Sequence, residues 1–251
     1  LSAQGRMTQG ELSDSADGLV ARLSESQALI EQSGEQVTRL TNDSVRMLEL
    51  IRASAEHGGS DLPQAISAAE KAIALDPLAD LAAVNLGIFL NGAGRYAQAR
   101  DLAERRLKAS AQDDFAQMVF GEALVLDGRA GEALSFARSI KADESSTLAA
   151  EAQAAGVRLT ITALAEHSLG HHREATAALN DLKNRHAAGF AFQVASVHAW
   201  RDEKDQAFEW LERAYSQRDG GMAMIKYDPF ITRLRADPRY AAMVRKLGLP
   251  E

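Results

Sequence analysis

Apolar positions along this chain follow two rhythms, and the change between them falls near residue 44. From Leu12 onward they recur at alternating steps of four and three residues. Leu12, Leu19, Ser26, Ser33, Leu40 and Met47 make one seven-residue series, and Ala16, Leu23, Ile30, Val37, Ser44 and Ile51 make its companion. That spacing predicts a helix with a coiled-coil seam, and no proline interrupts residues 1–62. Run without a break, the helix would extend about 65 Å at roughly 1.5 Å per residue. Gly34 is its weak point, because glycine costs about 1 kcal/mol inside a helix and is able to split the segment in two. Two uses of the seam stay open: packing on the chain's own downstream helices, or homodimerisation through Leu19, Leu23, Ile30, Val37 and Leu40. Serines at 26, 33 and 44 make it a weaker seam than an all-leucine one. Residues 1–10 are polar and expected to fray.

After residue 44 the pattern becomes a repeating pair of helices. A turn that opens an amphipathic helix ends at Ala65, Ala99, Ala133, Ala175 and Ala207, as in Gly94-Arg95-Tyr96-Ala97-Gln98-Ala99, at steps of 34, 34, 42 and 32 residues. Within Leu62–Pro77, Ala65, Ala69 and Ala72 sit where helices must approach closely, and Asp76-Pro77 stops the helix. The period near 34, the small-residue positions and the Leu86-Gly87 pair, with Gly121 in the equivalent place, resemble the tetratricopeptide repeat. The resemblance implies an all-α superhelical solenoid: residues 1–43 as a long heptad helix, 44–225 as about five helix pairs, and 226–251 as a C-terminal cap. The first pair reads as residues 43 or 44 to His57, a Gly58-Gly59 turn and an N-cap at Asp61. The 42-residue step predicts a lengthened helix in the fourth pair, from about Ser145 to Leu169.

The closing residues extend the resemblance. Ala207-Phe208-Glu209-Trp210-Leu211, Lys226-Tyr227-Asp228-Pro229-Phe230, Ala236-Asp237-Pro238-Arg239-Tyr240 and Leu247-Gly248-Leu249-Pro250 look like the tetratricopeptide region of bacterial multidomain regulators. There the repeats follow a winged-helix, adenylate cyclase or Ser/Thr kinase domain. No such domain is recognisable in these residues, so only an interaction or sensory role is implied. Asp228-Pro229 and Asp237-Pro238 are each expected to end one helix and begin another.

Composition narrows the function classes. The chain has 251 residues, 46 % apolar and 25 % charged, with only 6 % aromatic, which suits an all-helical fold with alanine-rich crossings. Its net charge of −7 argues against direct nucleic-acid binding. With no cysteine, disulfides and thiolate metal sites are excluded. No apolar run is long enough to predict membrane insertion, and a cytoplasmic protein is expected. Beginning at Leu1, the chain is expected to be a fragment or processed form.

Candidate chemistry is sparse. His167, His171 and His172 share a helix end, but a solvated turn explains them better than a metal site. Gly92-Ala93-Gly94 lacks the lysine and hydroxyl residue of a phosphate loop. No catalytic residues and no cofactor are expected. The informative surface is the concave one, which in tetratricopeptide proteins is lined by the first helix of each pair. Here it reads Met47, Leu50 and Ser54, then Leu81, Val84, Ile88 and Asn91, then Phe115, Met118, Glu122 and Val125, then Val157, Thr160, Leu164 and His167. The basic and amide residues of the carboxylate-clamp subclass are missing. An apolar strip of this length needs a cover. Either a protein or peptide segment binds there as a partner, or the chain covers it internally with residues 12–30 or the long fourth-pair helix. A non-enzymatic interaction scaffold is the first reading, and a structural protein homodimerising through the heptad helix is the second.

Overall fold

The computed structural model describes residues 62–75, 80–141 and 147–249. The heptad segment, the predicted seam residues Leu19, Leu23, Ile30, Val37 and Leu40, and the first helix of the first pair lie outside the described residues. The described residues form ten α-helices and no strand. In chain order they are α1 (Leu62–Leu75), α2 (Asp80–Gly92), α3 (Tyr96–Ala109), α4 (Asp114–Leu126), α5 (Ala130–Ser139), α6 (Leu148–Ser168), α7 (His172–Arg185), α8 (Ala187–Trp200), α9 (Lys204–Gln217) and α10 (Pro238–Lys246). Two 3₁₀ turns, Gly220–Met224 and Ile231–Leu234, stand between α9 and α10.

Four helix pairs follow one another: α2 with α3, α4 with α5, α6 with α7, and α8 with α9. The even-numbered helices also stack on each other, α2 on α4, α4 on α6 and α6 on α8. They form an inner layer, while α3, α5, α7 and α9 lie outside it. Sequence character follows position. Inner helices are apolar almost all round, as in Asp114–Leu126 with Ala116, Val119, Ala123, Leu124 and Val125 buried. Outer helices carry one apolar stripe, as in α9 with Ala207, Phe208, Trp210, Leu211 and Ala214 buried and the other face charged.

The turns inside each pair are chemically uniform. Gly94, Gly128 and Gly170 take left-handed φ values of 73°, 74° and 79°, and Asp202 takes 60° in the fourth pair. The residue after each returns a hydrogen bond to the end of the inner helix: Arg95 N to Leu90 O (2.8 Å), Arg129 N to Leu124 O (2.8 Å), His171 N to Glu166 O (2.9 Å) and Glu203 N to His198 O (2.9 Å). This is a Schellman closure, which requires a left-handed residue that glycine supplies without a Cβ penalty. The recurring first residue of the turn motif is that residue.

Close approach fixes the spacing of the inner layer. A Cβ on Gly87 would lie 2.8 Å from a methyl of Val119 on α4, and Cβ atoms on Gly121 and Gly156 would collide with Ile161 on α6 and Phe190 on α8. These glycines therefore receive the next inner helix, where the sequence suggests close approach of the paired helix. The long helix α6, with 21 residues, fills the extra length of the 42-residue step, and Thr147 caps it through Ala150 N. No described helix is long and apolar enough to cross a membrane.

Candidate functional site

The inner layer is not bare. After α9 the chain turns at Arg218, left-handed at φ 56°, and runs as Asp219–Arg235 against the inner helices instead of continuing as an outer helix. Asp219 secures the departure. Its carboxylate accepts from Gly221 N at 2.9 Å and from Phe192 N at 3.1 Å. The second of these amides is exposed to a side-chain partner by the non-helical Phe190 (φ −132°, ψ 23°) inside α8. A Cβ on Gly221 would stand 2.6 Å from the Phe192 ring, so glycine permits that approach.

From there the segment spans the layer from α8 to α2. The Tyr227 ring meets Phe89 of α2 edge-on with centroids 4.8 Å apart, and the Tyr227 carbonyl lies against Gly92, where any Cβ would strike it. Phe230 turns back to Trp200 of α8, edge-on at 5.3 Å, and the 3₁₀ turn Ile231–Leu234 packs on α8. Ile225, Phe230 and Ile231 are fully buried, with Leu234 nearly so. Each such side chain contributes about 1.5–3 kcal/mol of burial. Helix α10 locks the segment from behind: Tyr240 donates its hydroxyl to Ile225 O at 3.1 Å. Arg235 Nη2 donates to Lys226 O at 2.6 Å.

Two carboxyl groups are enclosed by this arrangement. Asp228 is 6 % exposed and Glu122, on α4, is 8 % exposed. Asp228 accepts from Phe230 N at 2.9 Å and Ile231 N at 2.8 Å, which caps a 3₁₀ turn and not the α-helix expected from Asp228-Pro229. Asp237-Pro238 does open a helix, with Asp237 accepting from Arg239 N. Burial pushes the Asp228 carboxyl up to about 6, even though the two amide donors pull it down. Burial and then the nearby Asp228 charge push Glu122 well above the usual carboxylate range. Burial, then Arg235, lowers the Lys226 ammonium.

Of the groove positions read from the sequence, Met47, Leu50 and the side chain of Leu81 fall outside the described residues. Val84, Asn91, Glu122 and Val125 are buried, Ile88 and Met118 are half-buried, and Phe115 is 59 % exposed. Asn91 donates to Val119 O at 3.2 Å, tying α2 to α4. Glu122 lies within range of the Asp228 charge. Phe115 shares a shallow cleft with Val84, Leu102 and Arg106, so the two ends of the predicted groove lie in different surroundings. The cover was not among the segments expected to supply it. Its signal was present in Tyr227-Asp228-Pro229-Phe230 and in Ile225, Ile231 and Leu234, apolar residues without helical spacing placed just after Gly220-Gly221.

The histidines settle into turns. His171 Nδ1 pairs with Glu166 Oε2 at 2.7 Å, His198 Nδ1 pairs with Glu203 Oε2 at 2.6 Å, and the His167 and His172 rings lie 5.5 Å apart. Among the described residues no group of three or more His, Asp or Glu side chains is placed to hold a metal ion. Compared with protein-family models and with curated proteins, the chain matches none.

Proposed function

We propose that this chain is a non-enzymatic, tetratricopeptide-like scaffold that binds a protein segment on its inner layer, as the interaction or sensory part of a bacterial regulator. The observation that carries the reading is that the inner helices already hold a peptide without α-helix, Asp219–Arg235, through aromatic contacts and buried apolar side chains. A face that binds such a segment in cis has the chemistry to bind one in trans. The place left for a partner is the α2–α4 end, where Phe115 is exposed and Ile88 and Met118 are half-buried. Phe115 and Met118 are adaptable contacts for an apolar partner segment. The perturbed carboxyl groups Glu122 and Asp228 are buried and not in an open cleft, which favours a binding role over acid–base chemistry.

The test is site-specific photocrosslinking in the producing cell, with the photoreactive residue at Phe115 or Met118 and, as a control, at Glu104 on the outer helix α3. The reading expects one discrete adduct from both inner positions, lost on Phe115→Asp with the photoreactive residue at Met118. Equal labelling from Glu104, or none from the inner positions, would remove it.

A further inference from the structure

Basic and imidazole side chains meet at one corner of the array, where α6 ends, α7 begins, α8 ends and the 3₁₀ turn Ile231–Leu234 passes. The His167 and His172 rings lie 5.5 Å apart across the α6–α7 turn. Thr176 stands one turn further along α7, on the face of His172. Its hydroxyl donates to His172 O at 2.8 Å and accepts from Arg201 Nη2 at 3.2 Å. Trp200, just before Arg201, donates Nε1 to Ser168 Oγ at 2.9 Å, and the Arg233 guanidinium lies 5.0 Å from the centre of its ring. The indole is half-buried. Leu169, next in the chain to the serine that holds it, is 41 % exposed.

The acids of this corner are already engaged or face elsewhere. Glu203 pairs with His198 Nδ1 at 2.6 Å and with Arg201 Nη2 at 2.8 Å, and Glu166 pairs with His171 at 2.7 Å. Asp202 lies 4.0 Å from Lys204. Glu174 follows His172 by two residues, which puts it on another face of α7. Among the described residues no carboxylate lies within ion-pair distance of Arg233, His167 or His172.

We propose that this corner is a docking surface for an acidic segment of a partner protein, with Arg233 taking a carboxylate, His167 and His172 beside it, and Leu169 and Trp200 receiving an apolar neighbour of that acid. Charge complementarity names the occupant. A guanidinium stacked on an aromatic ring keeps its N–H edge free for a carboxylate, which it grips with two parallel hydrogen bonds. The exposed leucine and the indole give a peptide contacts that a bare anion has no means to use. The surface goes beyond the apolar α2–α4 end proposed above, and either one can fail without the other.

The chain holds two tryptophans, so the indole N–H region of its proton–nitrogen NMR spectrum contains two signals. Trp200 reports on the corner, and Trp210, buried on α9, is the internal control. The probe is the capped pentapeptide Glu-Leu-Glu-Glu-Leu, compared with Gln-Leu-Gln-Gln-Leu and with inorganic phosphate, all titrated into the full chain. The acidic peptide is expected to shift the Trp200 signal saturably and to leave Trp210 in place, with the glutamine peptide and phosphate each binding at least about tenfold more weakly. Arg233→Gln should weaken the acidic peptide about tenfold. Arg233 is exposed, and an unmoved Trp210 signal verifies that the variant is folded. Absence of a Trp200 shift, equal shifts of both indoles, an equal response to the glutamine peptide, or undiminished binding by Arg233→Gln overturns the proposal. Phosphate binding as tight as the peptide's would overturn the assignment of a protein partner.

Discussion

The two ends of the inner layer use the same joint and different material. At the α2–α4 joint, Gly87 receives Val119, and at the α4–α6 joint, Gly121 receives Ile161. At the α6–α8 joint, Gly156 receives the ring of Phe190. The inserted side chain grows along the chain, and so does the amount of apolar surface each joint must seal. At the α8 end the chain adds Trp200, Phe230, Ile231 and Leu234 in one cluster and closes it with α10. At the α2 end Phe115 stays open. The difference teaches that a repeat array with one recurring joint is not uniform in stability. The α8 end is sealed by its own chain, whereas beyond the reach of Tyr227 the start of α4 presents Phe115 to solvent.

That comparison can be broken at its strongest point. Phe230→Ala empties a fully buried site against Trp200 and is expected to cost about 3–5 kcal/mol in denaturant unfolding. Phe115→Ala, at the open end, should cost little. Equal losses would mean that the two ends are not built differently.

The joints give the next test. Gly156→Ala forces a methyl into the Phe190 ring and is expected to cost about 1–3 kcal/mol or more, whereas Gly87→Ala, facing the smaller Val119, should cost less. Pairing Gly156→Ala with Phe190→Leu should recover part of the loss, and strict additivity would place the strain elsewhere.

Acid titration separates the buried carboxyl group from a half-buried, ion-paired one. Asp237, paired with Arg239 and bonded to its amide, is held down to about 2. Its stabilising effect is present above the unfolded carboxylate range and lost as the pH falls through about 2. Asp237→Asn should therefore lower stability by a constant amount above about pH 4, and that loss should vanish as the pH falls to about 2. Asp228→Asn should flatten it between pH 4 and 8, as followed by thermal unfolding.

The smallest expected effect is a gain. Gly131 lies in α5 with open space where a Cβ would stand, so Gly131→Ala should stabilise by about 0.5–1 kcal/mol through reduced unfolded-state freedom.

The all-helical class, the paired helices and the length of α6 were legible because they depend on local signals. Gly94, Gly128 and Gly170 recur where a left-handed closure is needed, and the alanine stripes recur with helical spacing. The acid at 202 shows how the signal weakens, since it performs the same closure without glycine. Tertiary reach was not legible. Nothing in the spacing of Ile225, Tyr227 and Phe230 says that the chain reverses across the layer to Phe89, because 3₁₀ turns leave no period to count. Glu122 was legible as a groove position, but the charge that acts on it, Asp228, comes from 106 residues later in the chain. Periodicity carries no information about such a pair.

The account rests on the reach of the C-terminal segment back to α2, and a double-mutant cycle between Phe89 and Tyr227 tests it most directly. With Phe89→Leu and Tyr227→Leu measured singly and together in denaturant, the edge-on ring contact predicts a coupling of about 0.5–1.5 kcal/mol. Losses that add to within about 0.3 kcal/mol would contradict it, and would mean that the segment does not cover the inner layer there.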